Sequence, residues 1–206
     1  MKKILCFGDS NTWGYAPSGK RYKKRCRWPG VLAKQLAPAF TVIEAGLPGR
    51  TSERDMPYGD NDLILPKLKG LVAEHRPELV VIALGTNDFL SNVNMTVEKT
   101  IRNLIGLVGS IREIEEASGQ ISEIILVSPT EILPEGEFTP MFNAPQIALQ
   151  AIEVENVAAQ NGLGYVDARQ HAEPDHNEGV HWTESAHEKF GLKIAEVVVD
   201  RLASPN

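Results

Sequence analysis

Four short stretches hold the residues of this chain with the most chemical potential. They are Gly8-Asp9-Ser10-Asn11, Gly46-Leu47-Pro48-Gly49-Arg50-Thr51, Gly85-Thr86-Asn87-Asp88 and Glu178-Gly179-Val180-His181. A serine hydroxyl is a weak nucleophile until a neighbouring base takes its proton, and the oxyanion that follows needs fixed hydrogen-bond donors. The stretches supply each type: the Ser10 hydroxyl, the backbone N–H groups of Ser10 and Gly49, the Asn87 side-chain amide, and the His181 imidazole. Glu178 precedes His181 by three residues across a glycine, a spacing that lets a turn fold its carboxylate onto the imidazole N–H. Asp175 is the other carboxylate near this base, and the turn favours Glu178. The chemistry implied is acyl transfer from an ester through a serine. Taken singly, each stretch is also how a chain turns or caps a helix, so the argument rests on bringing them together.

The elements around the stretches say how that happens. Short Val/Ile/Leu runs at 3–7, 41–45, 79–84, 123–127 and 164–166 read as strands buried on both faces of a parallel sheet. Helical periodicity fills 29–36, 62–74, 97–116, 145–161 and 183–202, with Thr183 a predicted N-cap. Strand and helix alternate throughout, which predicts an α/β fold, a three-layer sandwich around a five-stranded parallel sheet. Ligands of such sheets bind beyond the carboxyl ends of the strands. The first three stretches follow the first three strands and the fourth precedes the last helix, so all four are expected on one rim. The one long loop is 131–145, with three prolines.

Bulk properties narrow the class. The 206 residues are 42% hydrophobic with net charge −6, which fits a single domain over 1–206 and argues against nucleic acid as a partner. The first apolar run stops at Gly8, short of a secretory leader, and no run approaches a membrane span. With two cysteines in unrelated contexts, a cytoplasmic protein without a disulfide framework is expected. Lys20, Arg21, Lys23, Lys24, Arg25 and Arg27 crowd one segment. It reads as a solvated loop or a contact between subunits of a homo-oligomer, and less readily as a wall for an anionic ligand.

The blocks GDSNTWG, GLPGRTS, GTND and EGVHWT resemble the four signature blocks of the SGNH hydrolases, or GDSL esterases, in order and spacing. The resemblance implies the flavodoxin-like fold of that family, Ser10 as nucleophile, and His181 as base. It also implies an oxyanion hole of Ser10, Gly49 and Asn87, with a small ester as substrate and no cofactor or metal. Trp13 and the RTS of the second block are similar to the arylesterase and acyltransferase branch, which implies short acyl groups and places Trp13 beside the substrate. Two positions depart from the pattern. Asn11 stands where the family name has leucine, at a site expected to be simple helix packing. Glu178 stands where the usual block has aspartate, and Glu serves in other triads.

The remaining residues divide between roles. Arg50 either lines the pocket mouth or pairs with an acid, and Trp182 either walls the acyl pocket or packs beneath His181. Asp9 and Asp88 read as turn braces or caps, and His75, His171 and His187 as surface residues. Other functions to weigh are a carbohydrate deacetylase or thioesterase with the same machinery, a metal site from Asp175, His176, Glu178 and His181, and a binding module without catalysis.

Overall fold

A computed structural model describes residues 2–55 and 62–203. Its centre is a parallel sheet of five strands: β1 (Lys2–Gly8), β2 (Phe40–Gly46), β3 (Leu79–Ala83), β4 (Glu123–Ser128) and β5 (Gly164–Asp167). They lie in the order β2-β1-β3-β4-β5. The helices are α1 (Ser10–Trp13), α2 (Trp28–Gln35), α3 (Ile64–His75), α4 (Val97–Ser118), α5 (Ala144–Gln160) and α6 (Glu184–Ala203). The expected strands and long helices are all present with ends shifted by a residue or two, the usual fraying of element boundaries. The four-residue α1 is an addition, too short to leave a periodic signal.

Alternation along each strand sends side chains to two separate cores. Ile4, Cys6, Leu79, Val81, Ile125 and Val127 pack with Trp28, Leu32, Phe190, Ile194 and Val198, from α2 and α6. Leu5, Phe7, Val80, Ile82, Ile124 and Leu126 pack with Leu68, Val72, Leu104, Leu107, Ile111, Val154 and Ala158, from α3, α4 and α5. That is why three central strands are continuously apolar. The edge strand β2 is only half-buried on both faces, Phe40 and Val42 packing against the first core and Ile43 and Ala45 against the second.

The order reverses at β1: the chain crosses to β2, returns past β1 and continues through β3. The carboxyl ends of β1 and β3 are therefore neighbours, paired from Ile4 with Leu79 to Gly8 with Ala83, and they form the switch point where ligands of such sheets bind. A third apolar cluster, Phe89, Ile132, Ile147 and Val180 with Phe138 and Phe142 against it, lies among the loops beyond this edge.

Phe190 is fully buried, edge-on to Trp28 at 5.5 Å and to Trp182 at 4.8 Å. Phe190→Ala is expected to cost about 3–5 kcal/mol in urea unfolding; a loss below about 1 kcal/mol would show that this face is not a packed core.

Candidate active site

Ser10 begins α1 directly beyond β1. Asp9 caps that helix, its carboxylate accepting from the Asn11 N–H at 2.9 Å. Leu47-Pro48-Gly49-Arg50 beyond β2 forms a turn closed by the Arg50 N–H on the Leu47 carbonyl, at 3.2 Å. Gly49 has φ 77°, so proline and glycine occupy the central positions that a type II turn asks for. The Gly49 N–H takes no part in the bond that closes this turn. Asn87 lies in a 3₁₀ turn, Thr86–Phe89, beyond β3, and its amide donates to the Arg50 carbonyl at 3.0 Å.

His181 arrives from the loop before α6, whose first turn is capped by the Thr183 hydroxyl accepting from the Ala186 N–H at 3.2 Å. Its Nε2 lies 3.1 Å from the Ser10 Oγ and its Nδ1 2.7 Å from a Glu178 carboxylate oxygen. An ionised carboxylate only accepts, so the pair places the proton on Nδ1 and leaves Nε2 free to accept from Ser10. Asp175 goes elsewhere: its carboxylate accepts from the N–H groups of Asn177 (2.9 Å) and Glu178 (3.3 Å), bracing the turn that aims Glu178. His176 faces Glu173 at 3.2 Å, so the four possible ligands of this loop do not converge.

A cavity of about 200 Å³ opens beside Ser10. Ser10, Gly49, Asn87 and His181 line it, with Tyr15, Pro48, Leu90, Phe138, Met141, Phe142 and Val180 as its apolar wall. Trp13, and Arg50 and Trp182, for which the sequence left a choice between the wall and another place, lie outside it. Arg50 is buried beneath the rim, donating to the Asp55 carboxylate at 2.7 Å and to the carbonyls of Gly8 (3.1 Å) and Ala45 (2.5 Å). Trp182 points into the core against Phe190, because the residue after His181 faces away from the cavity. Trp13 turns to the other side of α1, under the Arg21 guanidinium at 4.7 Å.

The wall comes instead from residues without a sequence signature. Tyr15 stacks on the His181 ring at 4.2 Å and Phe138 meets it edge-on at 6.1 Å. Phe138, Met141 and Phe142 belong to the long loop, whose proline-rich sequence hid a 3₁₀ turn at Thr139–Met141. That loop also fixes the turn that carries Glu178 and His181. The N–H groups of Leu133, Glu137 and Phe138 donate to the carbonyls of Gly179, Asn177 and Glu178. A Cβ on Gly136 would fall 2.3 Å from the Gly179 Cα, so glycine is required for the two backbones to touch. The basic segment folds away from the cavity, with Arg21 and Arg27 both paired to Glu44 of β2.

Burial shifts several groups near the rim. His187, expected on the surface, is fully buried and accepts from the Trp28 N–H at 3.4 Å. Burial, helped by His181 and Arg27, pushes its pKa down to about 3, so it stays neutral. Burial lifts Asp9 to about 6 against the Asn11 hydrogen bond. Asp88, wholly buried, rises to about 7 by burial although it accepts from the Ser52 N–H at 2.8 Å.

Comparison with known proteins follows this geometry closely. A family model described as the GDSL-like lipase/acylhydrolase family matches residues 6–189. An inhibitor-bound aryl esterase from M. smegmatis is 30% identical, with a TM-score of 0.88 over 97% of this chain and 99% of that one. A carbohydrate acetylesterase family member from Sinorhizobium meliloti is 29% identical, with a TM-score of 0.90 over 99% and 100%. Thioesterase 1/protease 1/lysophospholipase L1 of Escherichia coli is 28% identical over 103 residues, 50% of this chain and 43% of that protein. The chain therefore spans under half the length of the curated relative it matches. The five-stranded parallel sheet flanked by helices is the fold of the SGNH hydrolases. The chain belongs to the GDSL-like lipase/acylhydrolase family. Among the described residues no helix is long and apolar enough to cross a membrane.

The raised pKa of Asp88 makes a stability prediction. The folded state holds a proton on Asp88 that the unfolded chain releases near pH 4, so this contribution is present below about pH 4 and is lost as pH rises through about 7. Asn keeps the acceptor for Ser52 without the titration. The stability of Asp88→Asn relative to wild type is expected to rise by a few kcal/mol, to order of magnitude, between pH 4.5 and 8. Urea unfolding at both pH values measures it, and a difference independent of pH would rule the buried titration out.

Proposed function

We propose that this chain is a carboxylic ester hydrolase that cleaves short acyl esters through a covalent acyl-enzyme on Ser10. The supporting observation is the unbroken line from the Glu178 carboxylate through His181 to the Ser10 Oγ, at 2.7 and 3.1 Å, ending at an apolar cavity. In this reading the Ser10 Oγ attacks the ester carbonyl while its proton passes to His181 Nε2. The new C–O bond places negative charge on the carbonyl oxygen, where the N–H groups of Ser10 and Gly49 and the Asn87 amide receive it. Collapse breaks the bond to the leaving alcohol, and His181 returns the proton to that oxygen. Water, or another alcohol in acyl transfer, then repeats the sequence on the acyl-enzyme. Glu178 holds the imidazole in the working tautomer and stabilises the imidazolium. Leu90, Phe138, Met141, Phe142 and Val180 receive the acyl chain, and the small cavity favours short ones.

A second reading concerns the alcohol. Asn92 lines both the cavity beside Ser10 and an open polar groove with Glu53, Arg54, Asn94, Thr96 and Lys99. That groove suits a leaving group rich in hydroxyls, as in an acetylated sugar, and the Sinorhizobium meliloti neighbour described as a carbohydrate acetylesterase family member favours the same direction. Rates on p-nitrophenyl esters of increasing chain length, beside acetylated sugars and acyl thioesters, separate the substrate classes.

Two variant sets test the machinery. Ser10→Ala is expected to abolish hydrolysis of p-nitrophenyl acetate and labelling by a fluorophosphonate with the fold intact. Asn87→Ala should lower kcat by roughly 10²- to 10³-fold with a smaller change in KM. Full activity in Ser10→Ala, or an effect of Asn87→Ala confined to KM, would contradict these roles. For the orienting carboxylate, Glu178→Gln should lower kcat by up to ~10⁴-fold, the loss known when a triad carboxylate is made neutral. Asp175→Asn keeps its turn-bracing oxygen and should cost little. The reverse pattern of kcat values on one activated ester would move the role to Asp175.

A further inference from the structure

The geometry assigns to Asn11 the part of a positioning residue for His181, an inference that rests on the acyl-transfer reading above. Asn11 adjoins Ser10 in sequence, and its expected part was packing. The structure makes it polar and long-range: buried, it accepts from the Trp182 N–H through its side-chain oxygen at 3.1 Å. Trp182 follows His181, so this N–H belongs to the peptide group that carries the base. The other end of that peptide, the His181 carbonyl, accepts from the Asp175 N–H at 2.8 Å. Both polar groups of the His181–Trp182 peptide are thus held, one by the turn of its own loop and one by the neighbour of the nucleophile.

Asn11 is fixed at its own end, since its N–H donates to the Asp9 carboxylate in the first turn of α1. The bond therefore ties the base to the nucleophile across the whole chain, independently of the contact between Ser10 and His181. Leucine at this place has the same branching, with bulkier methyl groups, and no acceptor. It would leave the Trp182 N–H buried without its partner and the peptide free to rotate, carrying the imidazole off line. A misplacement of about 1 Å costs on the order of 10²-fold in rate. Asn11 does not line the cavity beside Ser10, so substrate affinity should be insensitive to it.

The experiment measures kcat and KM for p-nitrophenyl acetate in Asn11→Leu and Asn11→Ser, each made in the wild-type and His181→Ala chains, with rates normalised to the folded fraction from near-ultraviolet circular dichroism. Serine is too short to reach Trp182 and serves if leucine disturbs folding. In the wild-type chain we expect kcat to fall about 10- to 100-fold with KM changed less than about twofold. In His181→Ala the residual rate should fall by less than about twofold, because a residue that acts through the base has nothing left to position. Asn11 variants within about twofold of wild-type kcat, or an equal fall in both backgrounds, would overturn the assignment. Equal rates in wild type and Ser10→Ala would instead overturn the acyl-transfer reading on which it rests.

Discussion

Arg50 places a guanidinium, almost fully buried, beneath the rim of the sheet, and the rim is organised around it. Its side chain donates to carbonyls at the ends of β1 and β2, those of Gly8 and Ala45, and lies over the Phe7 ring at 4.2 Å. Its backbone N–H closes the turn that presents Gly49, and its carbonyl receives the Asn87 amide. A single residue thus contacts the strand exit before Ser10, the Gly49 turn and Asn87. The charge is matched by Asp55. Burial alone would raise the pKa of that carboxyl, but hydrogen bonds from Arg50 and Lys67 outweigh it and hold the carboxyl below the ordinary range. Removing one partner of such a pair would strand a charge in the interior, so the guanidinium and the rim geometry stand or fall together.

His181 is supported from the opposite side. Three backbone hydrogen bonds from the 133–138 segment hold the loop that carries Glu178, and the contact of Gly136 with Gly179 brings the two chains together. The same segment supplies Phe138 to the cavity and to the His181 ring. Support of His181 and the shape of the cavity are therefore joined in one loop. A change there is expected to act on the placement of His181 and on the cavity at once, and the loop continues to the Asn87 turn, where the Asn143 N–H donates to the Phe89 carbonyl at 2.9 Å.

The glutamate in place of the family's usual aspartate fits this arrangement without strain on its function. Its longer side chain reaches the imidazole at 2.7 Å because Asp175 tightens the turn behind it. The extra methylene is absorbed by the loop, and the carboxylate is almost fully shielded from water, where its interaction with an imidazolium is strongest.

The sequence by itself determined the sheet, the main helices and the four stretches on its rim, because strand and helix periodicity and turn chemistry are local properties. Pro48-Gly49 could be read as a turn, and Glu178 could be matched to His181, since each spans a few residues. What only the tertiary structure decided lies across long separations. Arg50 and Trp182 were free in the sequence to face the cavity or the core, and packing sent both inward. His187 had the look of a surface residue until α2 covered it with Trp28. Tyr15 and Phe138 carry no motif, yet the fold brings both rings onto His181. Asn11 presented a packing position, and only the return of the chain 171 residues later supplied the N–H that it accepts. Side-chain direction at the end of a strand or helix depends on what packs there, and that partner is chosen by the whole fold rather than by neighbouring residues.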